Sequence, residues 1–270
     1  MTAIATPDRI RFGDVVAGEW TKLRSLRSTM WSFAGYIVLS IGMSVLATSL
    51  YTASWHHLSA SDRRHMAEDP IGLILQPGGV WGQIAICVLG VILFASEYST
   101  GMIRASMLAV PRRTPVLAAK ATVFAAVTFV VAEVVAFVSF FIGQAIISKH
   151  VSVSLGDAGV LRAVLGTGLA LAVVGLFAMS LGVLVRHVAG AITLAIGLVT
   201  VLPTIASALP GRIGDYLKTY LPGGNSVGAI MSSGHGSDLV VSPWQGFAIA
   251  CGWTAIALAL ATVSLRRRDV

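Results

Sequence analysis

Six long apolar stretches separated by short polar connections fill this chain almost from end to end, a pattern that excludes a soluble globular fold. The stretches run roughly 30–51, 71–95, 116–147, 160–185, 188–209 and 244–265. Each meets or exceeds the ~20 apolar residues that cross a hydrocarbon core of ~30 Å. The chain therefore reads as an all-α polytopic membrane protein with a single membrane domain over residues 1–270. Charge agrees: Asp, Glu, Lys and Arg make up 11% of the chain, against about 25% in soluble domains. The longest polar segments are the first 29 residues and a 34-residue connection over 210–243. Neither is long enough to bury a core, since lone domains below ~40 residues usually need staples. A long charged stretch precedes the first span where a signal peptide would have a short apolar core, so that span is expected to be retained.

The nineteen Lys and Arg set the expected orientation. With both termini on one side, that side holds Arg9, Arg11, Lys22, Arg24, Arg27, Arg104, Arg112, Arg113, Lys120, Arg186, Arg266, Arg267 and Arg268. The other side holds Arg63, Arg64, Lys149, Arg162, Arg212 and Lys218, and six acidic residues there cancel them: Asp62, Glu68, Asp69, Asp157, Asp215 and Asp238. The bias places both termini in the cytoplasm of a cell membrane. The net charge of +7 is then a surplus facing anionic lipid. Nucleic acid is excluded as a partner, because the basic residues flank spans and form no separate basic module.

Before the first span, Phe12, Val15, Val16, Trp20, Leu23 and Met30 recur at helical spacing. They predict an amphipathic helix on the inner leaflet, with Asp8 as its N-cap and Trp20 at interfacial depth. Such a helix either anchors the chain or also touches a cytoplasmic partner. After the second span, Glu97 stands at the cytoplasmic exit and Gly101 permits a sharp bend. Met102, Ile103, Met107 and Leu108 then supply the apolar stripe of a short helix ended by Pro111. This segment is either an ordinary connection or a helix that docks into a partner's groove.

Here the chain resembles the small six-span permease subunits of type-2 ABC exporters of the actinobacterial style. The residues carrying the resemblance are Glu19-Trp-Thr-Lys-Leu-Arg-Ser-Leu-Arg-Ser-Thr29 before the first span and Glu97-Tyr-Ser-Thr-Gly101 after the second, followed by Pro111-Arg-Arg113 and Lys120. The six-span plan and the length agree across the whole chain. The resemblance implies a permease that exports an apolar or amphipathic cargo, such as a drug or antibiotic. It also implies pairing with a second permease copy, a homodimer by default, and with two cytoplasmic ABC ATPase subunits. The ATPase-coupling residues it implies are Lys22, Arg24 and Arg27 on the N-terminal helix and Glu97, Gly101, Met102 and Arg104 on the second element. It further implies short membrane-dipping helices between the last two spans, a position held here by 221–231, whose glycines disfavour a regular helix. No G-x-x-x-x-G-K-[ST] occurs in the sequence. ATP and magnesium are accordingly expected on the partner ATPase, with no cofactor and no enzyme activity in this chain.

Other chemistries are weaker. His56, His57 and His65 share the first outer connection with Asp62, Glu68 and Asp69, without any established metal-ligand spacing. Ser232, Ser233 and His235 lie together in a glycine-rich loop that offers no rigidity for a nucleophile. Cys87 and Cys251 read as small buried hydrophobes. Glu133 is the only acidic residue deep in a span. It is a cavity candidate, and it makes a proton-coupled secondary transporter the alternative reading. A non-transporting membrane assembly protein is the third. Pro203 and the small residues Gly166, Gly168, Ala170, Ala172 and Gly175 are assigned to kinking and helix packing.

Overall fold

The computed structural model describes residues 11–99, 101–102, 113–233 and 241–267. Among them there is no strand, and six helices are long and apolar enough to cross a membrane. They are Arg27–Ala53, Pro70–Tyr98, Thr114–Ile147, Val160–Val185, Val188–Ala208 and Pro243–Arg267. The chain is thus an all-α polytopic membrane protein, the architecture hydrocarbon demands because a helix satisfies its own backbone groups. The spans agree with the apolar stretches to within a few residues. The first, second, third and sixth run slightly longer because helical hydrogen bonding continues past the last apolar side chain. Asp8, Arg104, His235 and nearly all of the short helix expected before Pro111 lie outside the described residues.

The fourth span is the centre of the bundle, buried along most of its length and packed against the second, third, fifth and sixth. Its small residues make this approach close. A Cβ at Gly175 would lie 2.9 Å from both Ile86 and Phe124, and one at Gly90 of the second span would lie 2.5 Å from the Gly175 carbonyl. Lipid supplies no hydrophobic drive between spans, so such backbone proximity carries the packing. The first span meets the second in the same way. Tyr36, Ser40, Ser44 and Thr48 recur every fourth residue on its buried face, where Gly78 and Gly82 leave room for them. Trp31, Val38, Leu46 and Leu50 point outward.

The fifth span is broken. Val188–Ile196 is α-helical, Gly197–Val201 forms a π-turn, and Leu202–Ala208 resumes the α-helix. Pro203 cannot donate to the Val199 carbonyl, and the widened turn accommodates its ring. The following connection is more ordered than its composition suggests. Arg212–Tyr220 is a helix with Ile213, Tyr216, Leu217 and Tyr220 exposed along one side. The chain then re-enters the bundle through Asn225–Gly228 and the 3-10 turn Ala229–Met231. Ile230 abuts Gly166, and the Met231 sulfur lies against Gly79. Gly79 is nine residues into the second span, so the turn penetrates about 14 Å at 1.5 Å per residue. The segment singled out at 221–231 forms a short re-entrant turn packed between the second and fourth spans, its glycines limiting the helix to one turn.

Candidate functional site

Helix α1 and the described start of the second element, Gly101 and Met102, lie at the end of the bundle where the first span begins and the second ends. Helix α1, Phe12–Ser25, starts at Arg11, whose backbone N–H donates to Asp14 Oδ2 at 3.0 Å. It ends at Leu26, an extended residue that turns the chain into the first span at Arg27. Met30 therefore belongs to the span and not to the amphipathic face. Helix α1 packs on the start of the third span, burying Leu23 together with Glu19, while Phe12 and Trp20 stay exposed.

A carboxylate on the buried face of an amphipathic helix needs a partner, and Glu19 has two. Its Oε2 lies 2.6 Å from Lys120 Nζ of the third span, and its Oε1 lies 2.7 Å from Lys22 Nζ one turn on. Lys120 Nζ also donates to Glu97 Oε1 of the second span at 2.8 Å, and Lys22 Nζ reaches the same oxygen at 3.9 Å. Glu19, Glu97 and Lys120 are 5%, 7% and 3% exposed. The two carboxylates and two ammonium groups cancel, as an apolar setting requires. Burial pushes the Glu19 carboxyl up, and the Lys120 and Lys22 ammonium groups outweigh it, holding the carboxyl below its ordinary range. A small cavity of about 160 Å³ opens beside this network, with Leu23, Leu26, Leu93 and Met102 in its wall.

The structure thus joins Lys22 and Glu97, and it adds Glu19 and Lys120 as the groups that connect them. Glu97 faces inward, so any influence on a partner passes through its lysine contacts. Arg24 and Arg27 are exposed on the same end. Gly101 has φ +71 with open space where a Cβ would sit, so conformation alone selects glycine there. Met102 beyond it is exposed. The signal for Glu19 lay in its position, between Val16 and Leu23 on the face the helix buries.

At the far end a second polar cluster holds the re-entrant turn. Asp69 precedes Pro70 at the start of the second span, and its Oδ1 accepts from Gly72 N at 3.1 Å in the manner of an N-cap. The same oxygen accepts from the Ser233 N–H and Oγ–H, each at 2.8 Å. Arg162 at the start of the fourth span donates to the Ser232 and Ser233 carbonyls at 2.9 and 2.8 Å. Composition suggested a loop without rigidity here, whereas Ser232 and Ser233 are buried and pinned from two spans. Ser233 Oγ donates to Asp69 Oδ1. Trp55 stacks on His150 with centroids 4.6 Å apart, and Arg63 lies over Trp55. Among the described residues no group of three or more His, Cys, Asp or Glu is arranged to hold a metal. Both cysteines are free, Cys87 in the core and Cys251 half-buried.

Glu133 lies in the middle of the third span, 9% exposed, against Gly168 of the fourth. Both of its oxygens are buried and make no hydrogen bond among the described residues. No protein-family model matches the chain, and no curated protein does.

Proposed function

We propose that this protein is the membrane-spanning permease subunit of an ATP-driven exporter of the type-2 ABC kind. It works as a homodimer with separate cytoplasmic ATPase subunits, which bind ATP and magnesium, and it moves an apolar or amphipathic cargo out of the cytoplasm or inner leaflet. One observation carries this reading: helix α1 and the exits of the second and third spans are fused into one unit by the buried network of Glu19, Lys22, Glu97 and Lys120. Lys120 cannot withdraw from this network without leaving two buried carboxylates short of a counter-charge. A push on the exposed surface of α1 or on Met102 is thereby delivered to two spans at once. Lys22, Arg24, Arg27, Gly101 and Met102 are assigned to the contact side of that unit and Glu97 to a positioning role behind them; Arg104, outside the described residues, is added through the resemblance alone.

The test is purification from native membranes followed by transport in inside-out vesicles. The tagged permease is expected to retain a P-loop ATPase, and export is expected to need ATP and to survive an uncoupler. Met102→Glu and Gly101→Val should leave the permease in the membrane while lowering ATPase association, and Glu133→Gln should leave export intact. Export that ignores ATP, stops with the uncoupler and is lost in Glu133→Gln would make the chain a proton-coupled secondary transporter instead.

A further inference from the structure

A cavity of about 510 Å³ opens where the re-entrant turn meets the second span and the π-turn of the fifth. Its volume is that of sites that hold drug-sized ligands. One wall comes from the second span, where Gln76 and Gln83 stand two helical turns apart on one face. The facing wall is the fifth span, where Thr200, Thr204 and Ser207 recur at the i, i+4, i+7 spacing of a single helix face. Val80, Val199, Val227 and Met231 supply apolar surface between these polar groups. Of these polar side chains Gln83 is buried, and such a group inside a bundle is costly unless water or a ligand reaches it.

Hydrogen-bond direction narrows what the cleft takes. Thr204 Oγ1 donates to the Thr200 carbonyl at 2.7 Å, and Ser207 Oγ donates to the Thr204 carbonyl at 2.7 Å. Each hydroxyl proton is therefore spent within the helix, and the oxygens present lone pairs to the cleft. Gln83 is 4% exposed, and its amide reaches Thr200 Oγ1 only at 3.4 Å, leaving its remaining donor and acceptor sites for a ligand. Among the described residues no Asp or Glu lines the cleft, so a cation entering it would lose hydration without gaining a counter-charge there. Lys218 stands in the wall, but its ammonium is 2.7 Å from Asp215 and offers no surplus charge to an anion.

We infer that this cleft binds an uncharged amphipath carrying several hydroxyl or amide donors, with its polar head between Gln83 and the Thr200–Thr204 face and its apolar part against Val199 and Met231. Calling that ligand the cargo rests on the exporter reading. Binding itself is measured on the permease alone, so the two readings fail separately.

The full chain in lipid nanodiscs is exposed to two photoreactive probes that share a diazirine-bearing dodecyl chain, one with a glucoside head and one with a trimethylammonium head. Labelled peptides are then quantified against probe concentration. The glucoside is expected to label 199–207 and 224–231 saturably and to be displaced by unlabelled dodecyl glucoside. The ammonium probe should show only a linear, unsaturable background there. Gln83→Leu and Thr204→Val should each weaken half-saturation about fivefold, the loss of one neutral hydrogen bond. Thr204→Val keeps the shape of a side chain on the rim, so it remains informative where Gln83→Leu fails to fold. Saturable labelling by the ammonium probe at equal or lower concentration overturns the inference, as does glucoside labelling that never saturates. Saturable labelling that Thr204→Val leaves unchanged places the ligand elsewhere and overturns it as well.

Discussion

A lysine ammonium only 3% exposed in an apolar bundle persists here because Glu19 and Glu97 place carboxylate oxygens 2.6 and 2.8 Å from it. Removing it is more damaging than never having had the network, since two carboxylates are then left facing each other out of water. Lys120→Met is predicted to cost about 3–5 kcal/mol in denaturation of the detergent-solubilised protein. Adding Glu19→Gln and Glu97→Gln to it should restore most of that loss. If the triple variant is no more stable than Lys120→Met, the charges are not what Lys120 holds in place. Acid sensitivity follows from the same geometry. The folded Glu19 carboxyl titrates below its ordinary value of 4.5, so folding favours the ionised form. The stability it contributes is complete above that value and is lost as pH falls through the lower folded value. Glu19→Gln should therefore flatten this part of the acid limb of the stability profile. The resemblance marks Lys22, Glu97 and Lys120 alike, but nothing in the sequence shows that Lys120 pairs with two carboxylates. Its partners come from helices far apart along the chain, and no local spacing reveals that they converge.

Among the elements, the third and fourth spans are the most legible, because a long apolar run flanked by charge has one physical solution in lipid. The fifth is less so. Its apolar run is continuous, and hydrophobic periodicity does not distinguish an α-turn from a π-turn, so Pro203 is the only mark of the break. The helix Arg212–Tyr220 carried its own signal, since Ile213, Tyr216, Leu217 and Tyr220 fall at i, i+3, i+4 and i+7. Nine residues with Gly214 among them still read as loop. Gly223 joins these two elements. It has φ +98, and a Cβ there would collide with the Val199 carbonyl freed by Pro203. Gly223→Ala is predicted to cost about 2–4 kcal/mol, combining left-handed strain with overpacking. Gly228 has φ −63 and open space around it, so Gly228→Ala should change stability by less than about 1 kcal/mol. Thermal unfolding of the two variants side by side checks the pair, and equal losses would mean that the re-entrant turn does not depend on its contact with the fifth span.

At the scale of the whole molecule, the bundle has two chemically distinct ends. At one, helix α1, Tyr98, Lys120, Arg186 and the end of the sixth span gather; Arg266 Nε donates to Thr114 Oγ1 at 3.1 Å, tying the last span to the first turn of the third. At the other, Asp69 and Arg162 hold the re-entrant turn, and acidic residues match the basic ones. The excess of Lys and Arg at the first end is what the positive-inside rule assigns to the cytoplasm, and the exporter reading requires that assignment, because the coupling unit must face ATP. Single cysteines in a background lacking Cys87 and Cys251 decide it. Ser61 and Ser154 are exposed at the far end, and their cysteine variants should react in intact cells with a membrane-impermeant thiol reagent. Ser25, exposed at the end of helix α1, and Thr114 at the start of the third span should stay unlabelled until the membrane is permeabilised and then react. Permeabilisation separates protection by the membrane from burial in the protein, which matters most for the half-buried Thr114. Labelling of the Ser25 variant in intact cells would invert the molecule, put the Glu19–Lys120 network outside, and remove the ATP-driven reading together with its coupling unit.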